Sequence, residues 1–268
     1  MERTRGIAEA FSAVRRGELV VLPTDTVYGV GVDAFIGPSV EALQEAKGMS
    51  REVPPAVLVG SVRAATSLVE DLGTYGQDLI DEFWPGPLTL VCRANPNLVW
   101  DLGENKGTVA VRMPMHDLAV ELLKETGPMA VSGASQTGSP AARDADAAME
   151  SLGEKVSVYL DGGPSGEREP STLVDLTGSV PRLLREGAVS AERIRAVTGV
   201  LLDDEPPISD DEISPIADEM APAREKVRLT KGEVQLTKGE AQVAEGEVRL
   251  TKDEELAPAE EKTSDDAG

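Results

Sequence analysis

The chain has 268 residues, a formal net charge of −22 and a single cysteine. Such an acidic chain is unsuited to tight nonspecific binding of nucleic acid, and one cysteine excludes an intrachain disulfide. The N-terminus lacks the apolar stretch of a signal peptide, and no apolar run approaches the roughly 20 residues of a membrane span. We therefore expect a cytoplasmic protein without a membrane segment.

Predicted strands and helices alternate along the first 200 residues. The strand-like segments are residues 18–22, 56–59, 88–92, 108–112, 129–132, 156–160 and 172–176. The helix-like segments are residues 39–47, a stretch after Ser61, residues 77–83, residues 117–125, and a last helix from Ser190 to about Gly199. This order predicts a mixed α/β (α+β) fold with a twisted mixed sheet flanked by helices. Neither a P-loop nor a dinucleotide-binding G-x-G-x-x-G is present after the first strand.

Charge and aromatic residues divide the chain into two parts. Residues 201–268 hold 20 of the 48 acidic residues, whereas all eight aromatic residues lie before position 160. A segment so poor in large apolar side chains has little with which to build a core. We predict one folded domain over residues 1–200 and a disordered, acidic, low-complexity tail over residues 201–268.

The tail contains a seven-residue repeat, found at residues 227–233, 234–240 and 248–254. Its apolar residues are spaced two and five apart, whereas a coiled coil needs spacings of three and four. A duplicated flexible tail is therefore favoured over a structured interaction module.

The end of the first predicted strand is the most informative segment. Pro23 ends the apolar run Leu19–Leu22, since proline cannot donate to a sheet ladder. The turn that follows contains Thr24, Asp25, Thr26 and Tyr28. Clustered hydroxyls at a strand end are typical of a small-molecule site, and Gly29 and Gly31 would let a ligand approach the backbone.

Six blocks lie in order along residues 5–200: Pro23–Gly29, Ala46–Gly48, Phe83–Thr89, Thr108–Pro114, Ser171–Asp175 and Leu184–Gly187. In this order they resemble the threonylcarbamoyl-AMP synthase (YrdC-like) family. The resemblance implies a YrdC-like fold. It also implies an enzyme that condenses L-threonine, bicarbonate and ATP into threonylcarbamoyl-AMP with release of pyrophosphate. Mg²⁺ would accompany ATP, and downstream tRNA threonylcarbamoyl transferase proteins would use the product to modify a tRNA adenosine.

The resemblance also implies roles for particular side chains. It assigns threonine binding to Thr24, Thr26, Tyr28, Arg112 and Thr172. ATP binding falls to Lys47, Arg51, Thr108, Ser132, Ser135 and Arg185, and the catalytic residues are Lys47, Arg51 and Arg112. Adenylation needs positioning and positive charge over the phosphates, and it needs no protein nucleophile. No protein metal ligands are expected, and Arg112 can form a bidentate pair with a carboxylate.

Three of the four polar side chains in the family's hallmark are altered here. The family has Lys-x-Arg and, later, Ser-x-Asn, whereas this chain has Met49, Gly133 and Ser135 in place of Arg, Ser and Asn. A thioether cannot donate a hydrogen bond to a phosphate oxygen. Arg51 would lie on the same face as Lys47 if the helix continued for another turn.

These changes leave three hypotheses open. The chain is a synthase, a weakened or non-catalytic paralogue that binds a nucleotide or an amino acid, or an enzyme that adenylates a different carbamate. Direct RNA binding is the least favoured, because an acidic chain offers no long basic face.

Three further features are assigned structural roles. His116 is the only histidine, and it is expected at the start of a helix, since a lone histidine cannot build a usual zinc site. The glycine-rich residues 161–166 are expected to form a surface loop, and Trp84 is expected to have a structural role.

Overall fold

The computed structural model of the chain describes residues 2–166 and 169–203. The strands, in chain order, are β1 (Val20–Leu22), β2 (Gly29–Asp33), β3 (Ala56–Leu58), β4 (Leu88–Arg93), β5 (Thr108–Arg112), β6 (Met129–Gly133), β7 (Val158–Tyr159), β8 (Thr172–Asp175), β9 (Arg182–Arg185) and β10 (Leu202–Asp203). The helices are α1 (Glu2–Arg15), α2 (Gly37–Lys47), α3 (Val62–Leu68), α4 (Gly73–Phe83), α5 (Asp117–Thr126), α6 (Ala145–Leu152) and α7 (Ala191–Thr198).

The described strands form one mixed sheet in the order β10-β9-β8-β4-β5-β3-β6-β2-β1-β7. Strands β3 and β5 are parallel, as are β4 and β8, whereas β6 runs antiparallel to both β2 and β3. Helix α1 packs against α5, and α4 packs against α7. The predicted mixed sheet flanked by helices is confirmed.

Both faces of the central sheet are buried. In β1, Val21 belongs to the larger apolar cluster, whereas Val20 and Leu22 belong to a second cluster with residues of α1 and α5. Successive side chains of a strand point to opposite faces, so β1 separates two cores. This burial on both faces explains why the central strands are apolar almost throughout.

Several helix ends follow from single residues. Ser61 caps α3, since its hydroxyl accepts a hydrogen bond from the backbone N–H of Ala64, and Ser190 caps α7 in the same way. Helices α2 and α7 end at Gly48 and Gly199, with φ of 69° and 71°. Glycine adopts these left-handed conformations without steric cost, so the predicted ends are confirmed.

Five elements do not follow from the apolar pattern: α1, β2, α6, β9 and β10. Helix α1 buries small side chains such as Ala10 and Ala13, which give a weak apolar signal. Strand β2 has glycine at two of its five positions, which is typical of a turn. The predicted strand at residues 156–160 is shorter, since only Val158–Tyr159 pair with β1.

The glycines of β2 serve packing, which corrects the prediction that they admit a ligand. A Cβ on Gly29 or on Gly31 would lie 2.6 Å from a methyl group of Val131 on β6. Real Cβ atoms do not approach so closely, so Val131 occupies the space that the two glycines leave. The absence of side chains at these positions lets β2 and β6 bury Val131 between them.

The predicted tail lies almost entirely outside the described residues, as do its repeats. The described part continues to Asp203, because Leu202 pairs with Arg182 of β9. Within the described part, no helix has the length and apolar character needed to cross a membrane.

We expect Gly31→Ala to lower the free energy of unfolding by about 1–3 kcal/mol, because the added methyl group would overpack the contact with Val131. Urea denaturation followed by circular dichroism measures this. Gly133→Ala is the matched control, since a Cβ at Gly133 meets no atom within 4 Å. Equal losses in the two variants would contradict the packing argument, whereas partial recovery in Gly31→Ala/Val131→Ala would support it.

Candidate active site

The turn between β1 and β2 is closed by its own hydroxyls. Thr24 Oγ1 donates to the carbonyl of Val27 at 2.6 Å and accepts from the backbone N–H of Thr26 at 3.2 Å. The two threonine hydroxyls lie 3.1 Å apart, and both residues are buried. The turn is therefore rigid, and it holds Asp25 between the two threonines.

Arg112, at the end of β5, reaches this turn. Its guanidinium donates from Nη2 to Asp25 Oδ1 at 2.6 Å and from Nη1 to Thr26 Oγ1 at 3.0 Å. A third bond runs from Nε to the carbonyl of Gly86 at 2.9 Å. The Arg112 side chain is only 7% exposed. Burial therefore lowers the pKa of Arg112, and Asp25 opposes that shift, so the group stays charged.

Asp25 also holds the chain that follows β5. Its Oδ1 accepts from the backbone N–H of Met115 at 2.9 Å, in addition to Arg112. Its Oδ2 is buried and has no hydrogen-bond partner among the described residues. The sequence predicts Asp25 in the turn but no role for it, because its partners lie about 90 residues away along the chain.

Thr172 shapes the loop between β9 and α7. Its hydroxyl accepts from the backbone N–H groups of Gly187 and Val189, and it donates to the carbonyl of Val189. The loop lines an open cavity of about 520 Å³ that is also lined by Pro87 and Met115. Thr172 therefore positions one wall of a cavity that adjoins the Arg112 cluster.

Arg185 adds a second positive charge to this region. Its Nη2 donates to the carbonyl of Ser171 at 2.9 Å. Its charge also lowers the pKa of Arg112, which places the two guanidinium groups within electrostatic reach of each other. Two cations near one buried carboxylate favour an anionic ligand.

Tyr28 anchors a loop instead of facing an open cavity. Its fully buried hydroxyl donates to the carbonyl of Gly163 at 2.7 Å and accepts from the backbone N–H of Gly162 at 3.0 Å. Burial raises the pKa of Tyr28. The glycine-rich segment that it holds contains neither helix nor strand over residues 161–166, as predicted.

His116 lies where the sequence places it, at the residue before α5. Its side chain does not cap the helix, and burial lowers its pKa. A Cβ on Gly162 would lie 2.9 Å from the His116 ring, so the imidazole packs against the glycine-rich loop. Trp84 donates from its indole nitrogen to the carbonyl of Leu88, which is in keeping with a structural role.

Lys47 is buried at the end of α2 and bonds to the segment that follows β6. Its Nζ donates to the carbonyls of Gly133 and Ser135 at 2.6 and 2.7 Å. The segment also pairs with the turn, since Ala134 N–H donates to the carbonyl of Tyr28. Lys47 thus lies next to the β1–β2 turn, at the end of β6, which stands between β5 and β2 in the sheet order.

The helix does not continue past Lys47, which corrects the expectation that Arg51 shares its face. Gly48 ends α2 in a left-handed conformation, so the helical spacing of four residues does not apply. Arg51 instead donates to both oxygens of Asp101, at 2.7 and 2.9 Å, in an exposed ion pair.

The altered hallmark positions meet in space. Ser132 Oγ lies 3.5 Å from Met49 Sδ, at the end of β6. Gly133 follows Ser132, and a Cβ there would meet no atom within 4 Å. A thioether and open space therefore stand beside the Lys47 carbonyl contacts, where the family pattern has an arginine and a serine.

Thr108 does not join the other predicted residues. It begins β5, whereas Arg112 ends it, and four residues of strand span about 13 Å. Its hydroxyl donates to the carbonyl of Asn105. Among the residues that the structure describes, no group of three or more histidine, cysteine or acidic side chains is placed to hold a metal ion.

We expect Lys47→Met to lower the free energy of unfolding by about 2–4 kcal/mol, because it would leave the Gly133 and Ser135 carbonyls without their charged donor. Arg51→Met is the matched control. Its ion pair is exposed, so its loss should cost less than about 1 kcal/mol. Urea denaturation of both variants without ligand measures the difference. A similar small loss in both would contradict a structural role for Lys47.

Comparisons with known proteins find relatives that match most of this chain. A putative threonylcarbamoyl-AMP synthase of Mycobacterium tuberculosis is 53% identical over 199 residues, which cover 74% of this chain and 92% of that protein. The threonylcarbamoyl-AMP synthase of Bacillus subtilis is 34% identical, over 72% of this chain and 56% of its own length. The crystal structure of Pyrococcus abyssi Sua5 complexed with L-threonine has a TM-score of 0.71 and 32% identity, covering 78% of this chain and 63% of that one.

The family model for Sua5, YciO and YrdC, which is described as telomere recombination, matches residues 12–187. That match covers more than half of the chain and includes the β1–β2 turn, Lys47, Arg112 and Thr172. The resemblance inferred from the six sequence blocks is confirmed, and this chain belongs to the Sua5/YciO/YrdC family.

Proposed function

We propose that this chain is an L-threonylcarbamoyl-AMP synthase, which condenses L-threonine, bicarbonate and ATP with release of pyrophosphate. The observation that carries the proposal is the buried cluster of Arg112, Asp25 and Thr26 beside an open cavity. The names of relatives that match most of the chain support the same activity. Synthesis of threonylcarbamoyl-AMP supplies the modification of tRNA, for which we propose a cytoplasmic location.

In this proposal the threonine carboxylate binds at Arg112. A guanidinium has five N–H donors, and three of those of Arg112 bond to the protein. The two remaining donors suit a carboxylate oxygen pair. Thr24 and Thr26 contribute hydroxyls, whereas Tyr28 and Thr172 act by holding the loops on either side.

ATP is proposed to bind with its phosphates toward Lys47, Ser132 and Ser135. Lys47 places a positive charge at the end of β6, and Arg185 supplies another beside Arg112. Arg51 and Thr108 remain candidates whose present contacts are Asp101 and Asn105. Mg²⁺ would bind the triphosphate oxygens, as it commonly does with nucleotide substrates, and would neutralise charge on the leaving pyrophosphate.

The chemistry needs two bond-forming steps. The threonine ammonium group and bicarbonate give a carbamate, with loss of water and a proton. A carbamate oxygen then attacks the α-phosphorus of ATP, and the bond to pyrophosphate breaks. The role of the protein is to hold the reacting groups together and to offset negative charge at the phosphates, which accounts for several orders of magnitude in rate.

We expect the full-length protein to release pyrophosphate from ATP and Mg²⁺ only when both L-threonine and bicarbonate are present. A coupled pyrophosphate assay measures this, with each substrate omitted in turn. Release with another amino acid in place of threonine would point to a different carbamate. No release, together with calorimetric binding of threonine or ATP, would contradict the synthase and favour a binding protein.

A weakened synthase is the second candidate function, and the contact between Met49 and Ser132 favours it. The thioether occupies a position where a cation would stabilise phosphate charge. Loss of one such donor typically costs about a hundredfold or more in rate. The chain would then bind threonine but form threonylcarbamoyl-AMP slowly.

We expect Met49→Arg/Gly133→Ser/Ser135→Asn to raise the rate of pyrophosphate release by about a hundredfold or more, because it restores charge and donors near the phosphates. The open space at Gly133 accommodates the serine side chain. Met49→Leu, which adds neither charge nor donor, should leave the rate unchanged. Equal rates in the wild type and the triple variant would show that the substitutions do no damage.

A further inference from the structure

Asp25 carries a buried oxygen that its known contacts do not explain. The residue is 8% exposed, and Oδ1 takes both of its hydrogen bonds, from Arg112 Nη2 and from Met115 N–H. Oδ2 is buried without a partner, and it is the one carboxylate oxygen in that condition across the described part of the chain. Buried polar atoms almost always have a partner, so such an exception calls for an explanation.

Holding Arg112 in place does not account for this arrangement. An aspartate paired with an arginine frequently accepts through both oxygens, and Asp101 accepts from Arg51 Nη2 through both of its own. Asp25 leaves one oxygen unused, while Thr26 and Gly86 accept two further donors of Arg112. The cluster thus keeps spare donors on the cation and a spare acceptor on the anion.

Unused donors on a cation and an unused acceptor on an anion suit a zwitterionic ligand. An α-amino acid carries its carboxylate and its ammonium on one carbon atom, so a matching site needs a cation and an anion in contact. Arg112 Nη2 and Asp25 Oδ1 are 2.6 Å apart, which meets that requirement. The region also carries an excess of positive charge, because Arg185 lies within electrostatic reach of Arg112.

We propose that Asp25 Oδ2 accepts a hydrogen bond from the α-amino nitrogen of the amino-acid substrate while Arg112 holds its carboxylate. The inference rests on the proposed function, since it concerns the same threonine site. The contact survives the first chemical step, because a carbamate nitrogen keeps one N–H to donate. Asp25 is therefore a substrate-binding residue that selects amines over molecules lacking the amino group.

The test compares two ligands in two proteins by calorimetry. L-Threonine carries the amino group, and (R)-3-hydroxybutanoate keeps the carboxylate and hydroxyl without it. In the wild type, threonine should bind about ten- to a hundredfold more tightly, as expected for a charge-assisted hydrogen bond. Asp25→Asn keeps an acceptor oxygen for Arg112 and Met115, and it turns the second position into a donor. In this variant the preference for threonine should fall at least tenfold.

The matched control is Asp33→Asn. Asp33 is also a buried aspartate facing an arginine, with Oδ2 3.7 Å from Arg15 Nη1, and it lies at the far end of β2 from the turn. This variant should keep the wild-type preference.

Each remaining outcome decides one question. If Asp25→Asn weakens both ligands equally, Asp25 acts only through Arg112 and the inference is overturned. Equal binding of the two ligands by the wild type also overturns it, even if the variant fails to fold. If the wild type binds neither ligand, the proposed threonine site itself fails.

Discussion

The contact between Arg112 and Asp25 joins four separate parts of the chain. It links the end of β5, the β1–β2 turn, the Gly86 carbonyl before β4 and the backbone before α5. Burying such a pair is costly, and removing one partner typically destabilises a protein by about 3–5 kcal/mol. A chain that needed only stability could fill this space with apolar side chains. The pair therefore points to a ligand whose charges complete it.

The turn that holds Asp25 is itself fixed by the contacts between β2 and β6. Strand β2 lies close against β6, because Gly29 and Gly31 leave room for Val131. Lys47 then bonds to the carbonyls just beyond β6, and that segment bonds back to Tyr28. Tight packing of β2 against β6 and a buried cation at the end of β6 leave the turn little freedom to move, which is what a preorganised site requires.

The sequence predicts what is local and misses what is distant. Ser61, Ser190 and Gly48 determine helix ends through their own backbone or neighbours, so their roles can be inferred from position. The carbonyl contacts of Lys47 join residues 86 and 88 positions apart, and no periodicity reveals them. The prediction that the glycines of β2 admit a ligand was wrong for the same reason, since Val131, which fills their space, lies about 100 residues away. The candidate site was identified by resemblance, but only the fold shows which side chains bond to the protein itself.

The altered hallmark positions and the Arg112 cluster bond to different partners. Met49 and Gly133 change the surroundings of Ser132 at the end of β6, whereas Arg112, Asp25 and Thr26 keep a closed set of hydrogen bonds. Substitutions at sites without shared partners usually act independently. Under the proposed function, loss of charge near Met49 would therefore slow adenylation and leave amino-acid binding nearly intact. Measured threonine affinity and measured turnover would then report on separate halves of the proposed site.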